Sequence, residues 1–144
     1  MKLSTRTRYG TRALLELAEH FGNGAVQLKV IAERQGISVK YLEQLMVVLK
    51  SAGIVQSVRG AKGGYVLAKA PEAVLLNEVF TVLEGPVTTA ECVSNENYCG
   101  RVADCVVRGV WAEVEDAIKG VLQAVTLKNL ADQARQKKVP DYQI

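Results

Sequence analysis

Residues 38–65 read SVKYLEQLMVVLKSAGIVQSVRGAKGGY. Leu42, Leu45, Met46, Leu49 and Ala52 recur at i, i+3, i+4, i+7 and i+10, the spacing of one face of an α-helix. Ser38 is a good N-cap, and Gly53 can take the left-handed conformation that ends helices. Upstream, Leu28, Ile31 and Ala32 pattern a short helix from Leu28 to Gln35 that breaks at Gly36. Helix, glycine turn and second helix in that order make a helix-turn-helix. Downstream, Ile54–Val58 and Tyr65–Ala68 read as strands joined by Arg59, Gly60, Ala61, Lys62, Gly63 and Gly64, a turn with two cations at its tip. The stretch predicts a mainly α fold with a small β-hairpin wing, and double-stranded DNA as partner. A phosphate loop is excluded by spacing: Gly-Lys-Ser/Thr must end such a loop, and here Lys62 precedes the paired glycines.

Charge is distributed to match. The chain of 144 residues carries a net charge of +3, but residues 1–69 hold +7 and residues 70–144 hold −4. The basic half is the half with the helix-turn-helix, as phosphate neutralisation requires. With 49% apolar and 23% charged residues the composition is that of a globular domain. No apolar run approaches a membrane span, and MKLSTRTRYG lacks the apolar core of a signal peptide, so a cytoplasmic protein without a membrane partner is expected. No Ser-His-Asp, paired-carboxylate or phosphate-loop constellation is visible, and a single histidine limits acid-base chemistry. An enzyme with a small-molecule substrate is not expected.

Two units follow from the order of the segments: a winged helix-turn-helix over residues 1–70, and a cysteine loop with dimerisation helices over residues 71–144. Tyr9 to Phe21 patterns a first helix with Leu14, Leu17, Ala18 and Phe21 inward, and Arg6, Arg8 and Arg12 at its start can grip phosphates. Beyond the wing, Leu75, Leu76, Val79, Phe80 and Leu83 pattern a helix stopped by Gly85-Pro86. From Val87 to Cys105 the apolar period disappears and a loop is expected. A long helix follows from Val106 to Val125, with Val107, Val110, Trp111, Val114, Ile118, Val121, Leu122 and Val125 making a stripe too wide for one small chain to cover. The stripe predicts a homodimer. Thr126 caps a last helix to about Gln136, and KKVPDYQI reads as a frayed tail.

Cys92, Cys99 and Cys105 fall within fourteen residues of a segment with neither helical nor strand period. A buried cysteine normally sits on an apolar face, so a metal centre explains them better than packing. Closed zinc sites want four Cys or His ligands, commonly at C-x2-C spacing, and that pattern is absent. Iron–sulfur clusters take thiolates and tolerate a different fourth ligand, for which Glu91, Glu96, Asp104, water and a partner-subunit group are all open. A thiol redox sensor without metal is the competing reading, and colour separates the two.

The runs IAERQGISVKYLEQLMVVLKSAGIV, SVRGAKGGYVLA and VFTVLEGP, followed by three clustered cysteines and a long helix, resemble the IscR-type regulators of the Rrf-two superfamily across nearly the whole chain. The resemblance implies a homodimeric bacterial transcription factor, expected to act as a repressor, with an iron–sulfur cluster that regulates genes of cluster assembly or iron and sulfur homeostasis. By position it places cluster ligands at Cys92, Cys99 and Cys105, with 2Fe-2S favoured over 4Fe-4S. It puts Tyr41, Glu43 and Gln44 in the DNA-reading helix and Arg59 on the wing, and Ser38, Lys40 and Lys62 on the same elements are expected to bind DNA beside them. The chain departs from IscR in having Arg108 where a histidine follows the third cysteine, and in a C-x6-C-x5-C spacing one residue longer. Nitric-oxide-sensing relatives recruit an acid near position 8 from the partner subunit, and here that position is Arg8. Sensing of nitric oxide or of thiol redox state within the same superfamily is the alternative function.

Overall fold

The structure, a computed structural model, describes residues 2–138. Its first helix, α1 (Thr5–Glu19), starts four residues before the apolar period does, because Ser4 in extended backbone caps it and accepts from the Thr7 N–H. Leu14, Leu17 and Ala18 are buried as expected. Phe21 is not: the helix has ended by then, and the ring lies in the following turn, 46% exposed. Gly10 marks where α1 crosses a later helix, since a Cβ there would stand 2.4 Å from the Leu83 side chain.

Helix α2 (Leu28–Gln35) ends on Gly36 at φ 63°, the left-handed turn of the helix-turn-helix, and α3 (Val39–Ser51) begins after Ser38, whose side chain accepts from the Tyr41 N–H. Leu42, Leu45, Met46 and Leu49 fill the core, whereas Ala52 is the exposed C-cap and does not extend the apolar face. The wing is the antiparallel pair β1 (Val55–Val58) and β2 (Gly64–Leu67), with Val55 opposite Leu67 and Val58 opposite Gly64. Val26 extends it with two main-chain hydrogen bonds to Tyr65, of 2.9 and 2.8 Å. Gly64, at φ +146°, is required there, because a Cβ would lie 2.2 Å from the Val26 carbonyl oxygen.

A single 3-10 turn at Pro71–Ala73 leads to α4 (Leu76–Glu84). Leu75 precedes this helix and is 40% exposed, so the predicted stripe starts one residue late. The cysteine segment holds one turn of helix, α5 (Glu91–Ser94), which four residues are too few to reveal by periodicity. Helix α6 (Val106–Ala124) packs on α4, and α7 (Leu127–Lys138) returns to pack on α1. The expected frayed tail lies, from residue 139 on, outside the described residues. No helix among the described residues is long and apolar enough to cross a membrane.

Two glutamates tie these elements together. The Glu84 carboxylate, at the end of α4, accepts from the Ser4 hydroxyl and N–H and from the Thr7 hydroxyl, so it anchors the start of α1. Glu115 is the one buried residue of α6; it accepts from Lys119 at 2.6 Å and from the Thr89 N–H at 3.2 Å. The Thr89 hydroxyl donates to the Trp111 carbonyl at 2.8 Å, so the entry to the cysteine segment is pinned to α6. Hydrogen bonds from Ser4 and Thr7 hold the Glu84 carboxyl below the ordinary glutamate value. The Lys119 ammonium, then the Thr89 N–H, do the same for Glu115 against the opposing effect of burial.

A carboxylate depressed in the folded state contributes stability that is complete above its unfolded value and is lost as pH falls through its folded value. The urea midpoint should therefore drop with pH across the acid range, and Glu115→Gln should show a shallower drop than the wild type. Parallel midpoint curves for the two proteins would show that the Glu115 carboxylate contributes nothing through its charge.

Candidate nucleic-acid interface and cysteine segment

Burial sorts the residues of α3 into two sets. Leu42, Leu45, Met46 and Leu49 are used by the core, leaving Ser38, Lys40, Glu43 and Gln44 exposed on the opposite side. Tyr41 is half-buried and meets Tyr9 of α1 edge to face, with ring centroids 6.3 Å apart, so its ring also serves packing. Ser38 is committed through its hydroxyl to the helix cap. Val39 and Val47 are 43% and 62% exposed, and with Glu43 between them at one-turn spacing they form an outward stripe. A search for inward-facing apolar residues passes over both; exposed valines on a helix otherwise free to face a groove are the signal that finds them. Their methyl groups suit contact with thymine methyls, as Gln44 suits adenine and Glu43 suits the cytosine amino group.

The wing tip is built to project. Lys50 near the end of α3 donates to the Ser57 hydroxyl at 2.8 Å and the Ala68 N–H to the Ile54 carbonyl at 2.9 Å, which fixes the hairpin to the helix. Gly63 donates to the Gly60 carbonyl at 3.0 Å to close the turn, and Arg59 and Lys62 on either side of it are exposed. The structure thus presents Lys40, Glu43, Gln44, Arg59 and Lys62 to solvent on the elements expected to meet DNA.

The three arginines of α1, taken together in the sequence, are separated by the fold. Arg12 donates through Nε to the Gln35 side chain at 2.8 Å and through its terminal nitrogen to the Gln35 carbonyl at 3.0 Å. Gln35 in turn donates to Glu16, which also pairs with Arg34 at 3.2 Å. The guanidinium carbons of Arg8 and Arg12 lie 5.7 and 5.5 Å from the Tyr9 ring centroid, within cation–π range. Both also border an apolar groove of about 840 Å³ that Leu3, Leu76, Phe80, Val114, Ile118 and Val121 line between α1, α4 and α6.

The cysteine segment folds onto α6. Arg108 donates through Nε to the Cys92 carbonyl at 2.7 Å, with a second nitrogen 3.5 Å from the Val93 carbonyl. The cation thereby satisfies carbonyls at the C-terminal end of α5, a favourable place for positive charge. Cys92 is half-buried, Cys99 and Cys105 are exposed, and all three are free thiols. Cys105 is the N-cap residue of α6, and its side chain makes no capping hydrogen bond. A shallow depression brings Cys99 beside Glu96 and Arg108. In kind the three thiols suit a thiolate-ligated centre. In position they do not converge: among the described residues no three His, Cys, Asp or Glu stand together closely enough to hold one metal ion. His20 lies at the end of α1, apart from this segment.

Comparison with known proteins agrees with this geometry. The sequence profile of the Rrf2 family, described as iron-dependent transcriptional regulator, matches residues 3–133. The HTH-type transcriptional regulator CymR of Bacillus subtilis (strain 168) is 42% identical over 131 residues, covering 91% of this chain and 90% of its own. Protein rrf2 of Nitratidesulfovibrio vulgaris is 45% identical over 130 residues, covering 90% and 87%. Among solved structures, IscR of T. potens superposes with a TM-score of 0.81 at 40% identity over 98% of this chain and 93% of its own. The structure described as CymR, the global cysteine regulator of B. subtilis, gives 0.80 at 40% over 92% and 98%. With a helix-turn-helix, a hairpin wing and a family profile that spans nearly all of its length, the chain belongs to the Rrf2 family of winged-helix transcriptional regulators and is not an enzyme.

Proposed function

We propose that this regulator is a homodimeric, cytoplasmic repressor that binds operator DNA through α3 and the wing and senses iron–sulfur status through Cys92, Cys99 and Cys105. Residues 1–70 contact DNA in this reading, and residues 71–144 sense and dimerise. The observation that carries it is the placement of three free thiols on one segment whose entry is tied to α6, by Thr89 to Glu115 and Trp111 and by Arg108 to Cys92, and whose far end, Cys105, is the N-cap residue of the same helix. The three cysteines would hold a 2Fe-2S cluster, which when bound supplies a centre that oxidants or iron loss can remove. The family's description as iron-dependent and the likeness to IscR support the metal. For the three thiols to hold one cluster, segment 95–104 would have to close inward, and such a closure would bear on α6 and, through its packing on α4, on α1 and α3. A linkage of this kind typically changes DNA affinity by about 1 to 3 kcal/mol.

A second reading has its own support. The thiols are exposed and unconverged, and the B. subtilis relative is described as a cysteine regulator, so a metal-free thiol sensor fits the same segment. Anaerobic purification separates the two, since the cluster protein is red-brown and the thiol sensor colourless. The Cys92→Ala/Cys99→Ala/Cys105→Ala protein should fold, be colourless, and bind a panel of operator duplexes with the pattern of the apo protein. Equal affinities of cluster-loaded wild type and triple variant across that panel would show that the cluster does not control DNA recognition.

The exposed stripe of α6 points to the dimer. Val106 is 85% exposed, Val107 54% and Val121 65%, and Val110, Trp111 and Val114 are each more than 40% exposed. Burying such a stripe against a second copy is worth about 25 cal/mol for each Å² of apolar surface removed from water. Val114→Glu/Val121→Glu should therefore sediment as a monomer or be insoluble. An unchanged dimer from the double variant would move the interface off α6.

Arg108 has a separate test. Its guanidinium holds the Cys92 end of the segment, and removing it leaves the α5 carbonyls without that partner. In Arg108→Ala, amide exchange over residues 91–105 should speed up while α1 and α3 keep their protection. Unchanged exchange there would show that the segment is held by its other contacts.

A further inference from the structure

We infer that Arg6 is a DNA-backbone contact that works beside α3, and that of the three arginines at the start of α1 it alone has this role. The inference rests on α3 being the helix that enters the major groove. Arg12 is committed to Gln35 and, with Arg8, to Tyr9 and the border of the apolar groove. Arg6 is exposed and makes no hydrogen bond or ion pair among the described residues. It lines a small depression with Tyr41, Gln44, Leu45 and Val48, so it stands alongside the recognition helix and next to Gln44, a residue suited to reading a base. A helix with its side chains is about 10–12 Å across and nearly fills a major groove about 12 Å wide. A long cation flanking that helix therefore reaches the phosphates at the groove edge and carries no information about the bases.

The local electrostatics also speak against a structural reason for this charge. Arg6 sits in the first turn of α1, where the helix dipole is positive and no acidic residue is present to offset it. Glu84 lies near enough to feel Arg6, but its carboxylate is already engaged by Ser4 and Thr7. A cation placed there works against the helix dipole, and the return it finds in the free chain is its attraction for Glu84, whose carboxylate Ser4 and Thr7 already meet. Bound to DNA, its planar fork can take a phosphate bidentately.

The test is a potassium chloride series on the purified full-length protein with two probes, a random-sequence duplex and a duplex selected from a random pool by the wild type. Each phosphate contact adds about 0.9 to the magnitude of the log–log salt slope. Arg6→Ala should lose about that much, weaken binding by the same factor on both duplexes, and keep or slightly raise the urea midpoint. Arg6→Lys should restore most of the slope. Arg12→Ala should lower the urea midpoint, because Gln35 loses its partner, and leave the slope unchanged. An Arg6→Ala slope equal to that of a DNA-binding wild type, or a loss confined to the selected duplex, would overturn the inference. A wild type that binds neither duplex would instead overturn the reading of α3 on which it rests.

Discussion

Burial of α1 is the constraint on which the rest of this structure depends. The helix packs against α2, α3 and β2 of the winged helix-turn-helix and against α4 and α7 beyond it, so most elements of the fold refer their position to one fifteen-residue helix. Ala13, Leu14, Leu17 and Ala18 lie within 2% of complete burial, and Gly10 lets α4 approach where any side chain would collide with Leu83. Such close packing transmits displacement poorly as a gradual deformation and well as a rigid shift. A helix held on both sides therefore suits a mechanical link between the two halves that the proposed function assigns to sensing and to DNA reading.

Much of this was legible from residue spacing. The helix-turn-helix, its Ser38 cap, the Gly36 break and the hairpin all follow from period, cap and glycine chemistry, which act over one or two turns of chain. What spacing missed depends on partners distant in sequence. The early start of α1 depends on Ser4, which is held by Glu84 eighty residues away. Phe21 continues an apolar period, yet the chain has already turned at His20. Tyr41 falls on the recognition helix by spacing, and nothing local announces that its ring also packs edge to face with Tyr9. The single turn of α5 is too short to show a period, and Arg108, which stands where the resemblance places a histidine, turns out to hold the main chain of Cys92. Long-range hydrogen bonds and aromatic contacts leave no local signature, so these are the features a single sequence hides.

The candidate site can be read from the sequence in its residue types and not in its arrangement. The cysteines announce soft-ligand chemistry, and the wing cations announce phosphate. The sequence does not say that Arg6 faces a different neighbour from Arg8 and Arg12, because at two- and four-residue intervals a helix turns them by roughly 200° and 40° relative to one another. That rotation sends Arg6 toward α3 and leaves Arg8 and Arg12 on the Tyr9 side, one turn apart. Three like charges that appear as one cluster in the sequence are thus divided between distinct tasks.

The same geometry limits how a change at the cysteines can reach DNA. The segment is attached to α6 through Thr89, Glu115 and Arg108, and α6 meets α4. Direct electrostatic influence on bound DNA is weak over such a path, since exposed charges are screened within about 8 Å at physiological ionic strength. In the proposed regulator the remaining route would be mechanical: the segment would bias α6, α6 would move with α4, and α4 would carry α1, whose start it holds through Glu84. Because α1 also carries Tyr9 against Tyr41 and Arg6 beside Gln44, a small rotation of it would change the seating of α3 and the reach of the flanking cation together. Operators whose phosphates and bases tolerate both positions would be bound in either state, while those that fit only one would be switched, so a coupling of modest size suffices to produce selective control.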